Sequence, residues 1–517
     1  MLHSKTTTAM KKMKYIVLSL VGACALTMVS CTDLEEEVYS DIPLDKFFQT
    51  ERDVLMNAGR AYTKLQRFPE EQRLWSLIEN SSDEMVIPGR DDGLWWEQGR
   101  WDELHTHRFN SSNKILRQSY EYVFEGISAC NEVIYETEES EITFEGKDRI
   151  VSEIKILRAL FYYWAIDNWG NVPFTIDFTD KELPEQKDRK FIFSFIEQEI
   201  LDHVDNLQDQ PTAAHYGRVT QGMAWTLLAK LYLNAEEWIG ESKYEQAVDA
   251  CNKVIALNAY SIEDDYFTNF KVKNENSREN IFVIVNHSVY TKDRLYWYTL
   301  TLNDASRATF GFKGEMWDGF VLEPEFFNKY AENDLRRNSF LFGQQYDMNG
   351  NPIYFIEEND TVWFEYTPTI GNYRARKKWE GARCCKYEYQ KDLEYYVTDM
   401  ENDFVLFRYA DVLYTKLEAL WRLGRAGEML NDPELQKIRT RAGMPPYQAS
   451  DITAEELLDE FGREFAWEAR RRQDQIRFGV WGNTWWNKPA SGPTAKLFPL
   501  PQTALSANSK LRQNPGY

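Results

Sequence analysis

The chain has 517 residues and a formal net charge of −22, with 43% hydrophobic and 15% aromatic residues. That length supports a large core or several cores, and the composition is that of a folded globular protein without low-complexity tracts. The acidic balance argues against nucleic acid, whose phosphates need clustered Lys and Arg, and against polyanionic substrates outside a local basic pocket.

At the N-terminus, Lys11, Lys12 and Lys14 precede an apolar run over residues 15–30, which is of signal-peptide length and short for a spanning helix. Small residues crowd toward Cys31 in "LTMVSC", and the chain then turns acidic in "TDLEEE". A Cys at this place resembles a bacterial lipobox, whose thiol takes acyl chains such as palmitate. The acidic run resembles the surface-export tag of Bacteroidetes lipoproteins. Cys24, in "LVGAC", is the rival lipidation site, but its apolar run is very short, so Cys31 is the assignment. Residues 1–30 then form the signal peptide. Cleavage there removes four lysines and no acids, which takes the net charge from −22 to −26. No second stretch is long enough to span a membrane, so lipid is the only anchor, and more than one acyl chain is needed for durable attachment.

Helical periodicity dominates the chain beyond Cys31. In "TERDVLMNAGRAYTKLQ", Thr50 is an N-cap and Asp53 its capping-box partner, with Leu55, Ala58, Tyr62 and Leu65 on one stripe. "SEIKILRALFYYWAIDNWG" places Ile154, Leu157, Phe161 and Trp164 together and ends at Gly170. "VTQGMAWTLLAKLYLNAEEW" and "KYEQAVDACNKVIALN" form a pair of amphipathic helices of tetratricopeptide size, and "FRYADVLYTKLEALWRLG" is another helix of that type. Such units bury their faces only by stacking, which gives an α/α superhelical scaffold. Between residues 260 and 402 the helical period fades. "ENIFVIV" reads as a strand, and Asn349-Gly350 in "YDMNGNPIYFI" as a hairpin turn. This stretch is expected to be a loop-rich subdomain with short strands and hairpins, inserted between scaffold helices.

Little in the chain suggests catalysis. Acid pairs are too numerous to be informative, and no GxSxG, HExxH or P-loop motif occurs. His105 and His107 lack a third ligand and read as exposed loop residues, so no metal is assigned. "DMNGN" lacks the spacing of a calcium loop. Arg470, Arg471 and Arg472 read as a solvated helix face paired with local acids. Cys130 and Cys251 fall on apolar stripes as core thiols, and Cys384 and Cys385 are adjacent, which makes a poor disulfide. No catalytic residue and no cofactor is expected.

The aromatic residues carry the positive signal. A pyranose offers a C–H face for Trp and Tyr rings and a hydroxyl edge for polar side chains. "SSDEMVIPGRDDGLWWEQGRW" puts Trp95, Trp96 and Trp101 beside Asp83, Arg90, Asp91 and Asp92. Adjacent Trp95 and Trp96 point different ways, so one of them at most joins a platform. "RLYWYTLTLN" offers Tyr296 and Trp297 beside Arg294, with Trp317 nearby in "GEMWDGF". Read as a strand, it puts Tyr296 and Tyr298 on one face and Trp297 on the other. The candidate ligand-binding residues are therefore Asp83, Arg90, Trp95, Trp96, Trp101, Tyr296, Trp297 and Trp317. Trp485-Trp486 is a weaker third group, and core packing is the competing reading for every one of these rings.

Taken in order, these segments resemble the SusD/RagB family over essentially the whole chain after Cys31. The landmarks run from "FFQTERDVLMNAGRAYTKL" through "EIKILRALFYYWAIDNWGNVPF", "GRVTQGMAWTLLAKLYLNA" and "FVLFRYADVLYTKLEALWRLG". They end with "FGREFAWEARRRQDQIRFG" and "KLFPLPQTALSANSKLRQNPGY". A helix holding Arg463, Glu464, Glu468 and Arg471 through Arg477, together with the terminal "QNPGY", is the most distinctive part. Met28 in the lipobox and "KLFPLP" depart slightly from the family pattern.

The resemblance implies a mainly α, SusD-like protein with no catalytic residues. Its helical N-terminal region would span 31–258 and its C-terminal region 259–517, divided into a ligand-side subdomain (259–401) and closing helices (402–517). It also implies a lipid-anchored outer-membrane protein at the cell surface, which binds oligo- or polysaccharide and passes it to a SusC-like TonB-dependent transporter. The aromatic segments fall where ligand-lining residues of the family lie. Two other readings stay open: a binder of peptides or another non-sugar nutrient, and a transporter lid with little affinity of its own.

Overall fold

In the computed structural model, Thr50 caps helix α1 (Glu51–Leu65). Its hydroxyl accepts from the Asp53 amide, and the Asp53 carboxylate accepts from the Thr50 amide, which completes the expected capping box. The structure describes residues 48–517 apart from 292–293, 358–359, 372–376 and 391–399. The signal segment, Cys24 and Cys31 lie outside the described residues. α1 buries Val54, Ala58, Ala61 and Leu65, so its inner stripe is rotated from the expected one and Leu55 is left exposed.

Helix α2 (Leu74–Asn80) is buried at every residue, and α3 (Arg100–His105) follows a left-handed glycine. Asn113 caps α4 (Lys114–Glu139) by accepting from the amides of Ile115 and Leu116. α5 (Lys147–Trp169) is buried around almost its whole circumference and packs against α1, α4 and α6 (Arg189–His203). Where α4 and α5 cross, a Cβ on Gly126 would sit 2.3 Å from the Phe161 ring, so only glycine permits the approach. α5 ends at Gly170, whose φ is 70°, as the sequence indicates.

α7 (Gln221–Leu233) and α8 (Tyr244–Ala256) pack along each other, and α10 (Tyr409–Arg422) adds to both, with α9 (Trp297–Thr301) lying between them in sequence. The chain is thus mainly α, and its helices stack pairwise as the sequence pattern predicts. Asn234 interrupts the first of these helices, which the sequence pattern carries on to Trp238.

The described strands form only two-stranded ladders. β1 (Met85–Val86) pairs with β3 (Val321–Leu322), and the expected strand β2 (Asn280–Ile284) pairs antiparallel with β6 (Phe404–Arg408). Residues 285–403 therefore leave and return through one ladder. Within them lie the β4 (Tyr354–Glu357) and β5 (Asp360–Trp363) hairpin and the turn at Asn349-Gly350. Gly350 has φ 81°, and the Asp347 carboxylate accepts from the amides of Asn349 and Asn351.

Three further expectations fail in this part of the structure. The Arg463–Arg477 region is not one helix: α11 (Ala454–Phe465) and α12 (Arg471–Arg477) flank a turn in which Trp467 and Ala469 have φ 63° and 58°. The Arg470–Arg472 run is buried, not solvated, because distant acids meet it: Asp411 binds Arg470, Asp83 binds Arg471 and Asp167 binds Arg472. His105 and His107 are buried as well. His107 stacks on Trp481 at 4.1 Å and contacts the Ser81 carbonyl, while His105 contacts the Trp486 carbonyl. Burial pulls the His105 pKa down to about 4, so its ring is neutral at physiological pH. Cys130 and Cys251 are buried free thiols, as expected.

A buried charge lattice joins these elements. Arg408 donates to Glu279, Glu464 and Glu468, Arg336 to Asp334, Glu460 and Glu464, and Arg441 to Glu279 and Glu464. All are enclosed, so each charge depends on its partners.

Candidate functional site

The two aromatic segments found in the sequence, 81–101 and 294–317, meet in space. The β1–β3 ladder aligns them, with Met85 opposite Leu322 and Val86 opposite Val321. Beyond the ladder, Arg90 reaches across to the opposite loop and donates to the carbonyls of Asp318 (2.6 Å), Gly319 (3.3 Å), Lys377 (3.1 Å) and Glu380 (3.2 Å). Arg90 is only 2% exposed. Burial, and then repulsion from Arg383, pull its guanidinium down to about 9, so it stays charged at neutral pH.

Trp95 acts on the same loop. Its indole N–H donates to the Trp317 carbonyl at 2.5 Å, and its ring meets Phe320 edge-on at 5.5 Å. A Cβ on Gly319 would lie 2.4 Å from that ring, so the close approach requires glycine. The loop bearing Trp95 and Trp96 is strained: five of the seven residues from Gly93 to Gly99 have positive φ, three of them non-glycine. Asp318 on the facing loop has φ 58°. Lys377–Asp91 (3.5 Å) and Lys378–Asp92 (2.8 Å) pairs fasten the outer edge. Strain of this kind persists only where neighbours over-determine the backbone, which the Arg90 and Trp95 bonds do.

The eight candidates divide by exposure. Trp101 (1% exposed) and Trp297 (3%) are enclosed. Trp297 stacks on Trp75 at 4.5 Å and meets Tyr387 and Phe404 edge-on, while Trp101 packs on Phe320. Residues 297–301 form helix α9 rather than the expected strand, so Trp297 and Tyr298 both turn inward. Asp83 is held by Arg471 through two bonds of 2.6 and 2.8 Å. Burial opposes ionisation of Asp83, but Arg471 outweighs it and holds the carboxyl below the usual range.

Trp96, Tyr296 and Trp317 keep access to solvent. Trp317 is 39% exposed, and Tyr296 meets it edge-on at 6.0 Å. Trp96 lies across Gly89 and Gly99, whose added Cβ atoms would touch its ring at 3.4 and 3.3 Å. Arg294 is ion-paired with Glu70. Trp95 and Trp96 do point different ways, one inward and one to the surface. The sequence did not reveal the clamp: Arg90 reads like a polar ligand contact, and only its burial shows it bonding backbone. Trp485 and Trp486 lie apart from these rings in sequence, in the cluster that encloses His105 and His107.

Half-exposed ring faces on a braced rim can stack on a flat, partly apolar ligand without first paying for ordering. Among the described residues, no three His, Cys, Asp or Glu side chains are grouped to hold a metal ion, and no helix is long and apolar enough to cross a membrane.

A model of the SusD family matches residues 252–494. The starch-binding protein SusD of Bacteroides thetaiotaomicron is 26% identical over 468 residues, which cover 83% of this chain and 83% of that protein. Among solved structures, surface glycan-binding protein A of B. thetaiotaomicron in complex with laminarihexaose superposes with a TM-score of 0.72 at 19% identity, covering 90% of this chain and all of that one. A SusD superfamily protein of Parabacteroides distasonis superposes with a TM-score of 0.73 at 20% identity, covering 91% and 100%.

Proposed function

Starting from a chain that is SusD-like in family match and in fold, we propose that it is a non-catalytic glycan-binding protein of the bacterial cell surface. The observation that carries the reading is the set of half-exposed rings: Trp96 and Trp317 on loops that Arg90 and Trp95 tie together, and Tyr296 edge-on to Trp317. The names of its relatives support the same ligand class: one binds starch, and another was solved with laminarihexaose.

The rings take the C–H faces of successive sugar units, and polar groups on the rim take their hydroxyls. Each hydroxyl exchanges a bond to water for a bond to protein and so contributes only about 1 kcal/mol. Ring stacking therefore decides affinity. The acyl anchor at Cys31 holds the protein on the outer membrane, and a SusC-like TonB-dependent transporter receives the captured oligo- or polysaccharide.

Screening the purified protein against a glycan array and a peptide pool tests this reading. It predicts hits among oligo- or polysaccharides that weaken when Trp317 is replaced by Ala. Hits confined to peptides would replace it with a peptide-binding function, and no hit in either pool would leave a transporter lid.

A further inference from the structure

A second recess lies at the other end of the β1–β3 ladder. The ladder leads to Trp317 on one side and to Asp83 and Glu323 on the other. Glu323 lies six positions after Trp317, so the two residues are at most about 20 Å apart. The recess is a cleft of about 510 Å³, room for one or two pyranose rings.

Its walls carry five carboxylates: Asp83, Glu323, Glu325, Glu455 and Asp459. Two cations, Lys329 and Arg471, face them. Both cations are already engaged, Arg471 by Asp83 at 2.6 Å and Lys329 by Asp459 at 2.6 Å. Glu325 and Glu455 are left without an ion-pair partner in the cleft.

Two buried groups point to a missing ligand. Glu323 is fully enclosed; one of its oxygens accepts from the Phe326 amide at 2.7 Å, and the other has no hydrogen-bond partner. Gln475, 2% exposed, has an unpartnered carbonyl oxygen in the same wall. Groups of this kind are costly unless something satisfies them. On the rim, Trp485 is held in place by Lys488, whose Nζ lies 3.9 Å from the ring centroid, and by His107 edge-on at 5.2 Å. Its indole N–H also lacks a partner.

We propose that this cleft is a second ligand site, which takes a sugar bearing a protonated primary amine. The ammonium lies against the unpartnered oxygen of Glu323, in the negative field of Glu325 and Glu455, and the ring lies against Trp485. A neutral sugar would leave the excess negative charge uncompensated. The site is separate from the ring platform and does not depend on it.

Burial, together with repulsion from Asp83 and Glu325, pushes the Glu323 carboxyl well above the usual range. An ammonium beside it favours the carboxylate, so binding releases a proton.

The test is calorimetric titration of the full protein with glucosamine and its disaccharide, in two buffers of different ionisation heat. Glucose and lysine are the comparison ligands. Glucosamine is expected to bind with proton release, at least about tenfold more tightly than glucose or lysine. Glu323→Gln, which keeps an acceptor for the Phe326 amide, and Glu455→Gln at an exposed position should each weaken it about tenfold. The Glu455 variant keeps the test valid if the Glu323 variant fails to fold. Equal binding of glucose, equal binding of lysine, or no binding of glucosamine would each overturn the proposal. So would loss of glucosamine binding in Trp317→Ala protein, which would assign the ligand to the rings instead.

Discussion

The Trp95 indole N–H donates to the Trp317 carbonyl at 2.5 Å, so a ring turned into the protein fixes the backbone of a ring turned out of it. The consecutive tryptophans at 95 and 96 thus divide the work. Trp95 sets the position of the opposite loop, and Trp96 joins the exposed surface.

Trp95→Phe tests that division. Phenylalanine keeps most of the packing against Phe320 and Gly319 but cannot donate. The expected loss of stability is about 1 kcal/mol, the net contribution of one hydrogen bond. Ligand affinity should fall as well, although residue 95 does not face the ligand. Urea unfolding and calorimetric titration of the same sample measure the two effects.

Arg408→Met should be among the most damaging single changes. Glu279, Glu464 and Glu468 would be left enclosed without the guanidinium they share, at a cost on the order of 3–5 kcal/mol. Arg408→Lys should recover only part of that, because an ammonium cannot reproduce the planar fork of donors. Chemical denaturation midpoints check both variants.

Glu460 and Glu79 make stability depend on pH in opposite senses. Burial opposes ionisation of Glu460, but Arg336 and Arg463 outweigh it and bring its pKa down to about 2, from an ordinary 4.5. The unfolded chain binds that proton first as pH falls, so this stability is present above 4.5 and is lost toward 2. Glu79 has the opposite sign: burial raises it to about 7, and it shares a hydrogen bond with Glu84. The folded chain holds this proton more tightly, so stability declines as pH rises from 4.5 to 7. Melting temperatures of the parent and Glu79→Gln should therefore diverge between pH 4.5 and 7, where the variant loses less stability or gains more, while both lose stability toward pH 2.

The lipid anchor predicts a change of compartment. Cys31→Ala should move the protein from the membrane fraction to the soluble periplasm. Cys24→Ala should leave it on membranes, and the reverse pattern would place the cleavage site at Cys24.

Helices were legible because each has a local cause: the Thr50 capping box, the Gly170 stop and the apolar faces of α7 and α8 all act within a few residues. The failures share a non-local cause. Arg470, Arg471 and Arg472 look solvated in sequence because their acids, Asp411, Asp83 and Asp167, come from far along the chain. His105 and His107 look exposed because the tryptophans that enclose them lie more than 370 residues later. The two aromatic segments could be found by composition, but which rings remain at the surface could not. Trp297 and Trp317 are alike in sequence context, and only the fold separates them, by packing Trp75, Tyr387 and Phe404 around the former.

The central claim is that Trp96, Tyr296 and Trp317 form the glycan platform, and calorimetry of their Ala variants tests it most directly. The ligand is whichever glycan the array identifies, and melting temperature is recorded on each sample. Trp297→Ala is the contrast: as a buried ring it should cost about 3–5 kcal/mol of folding stability. The three surface variants should keep near-parental melting temperatures. Each should bind roughly tenfold more weakly, as expected for the loss of a stack worth on the order of 1–3 kcal/mol. Three folded variants that bind like the parent would contradict the account and place the glycan elsewhere.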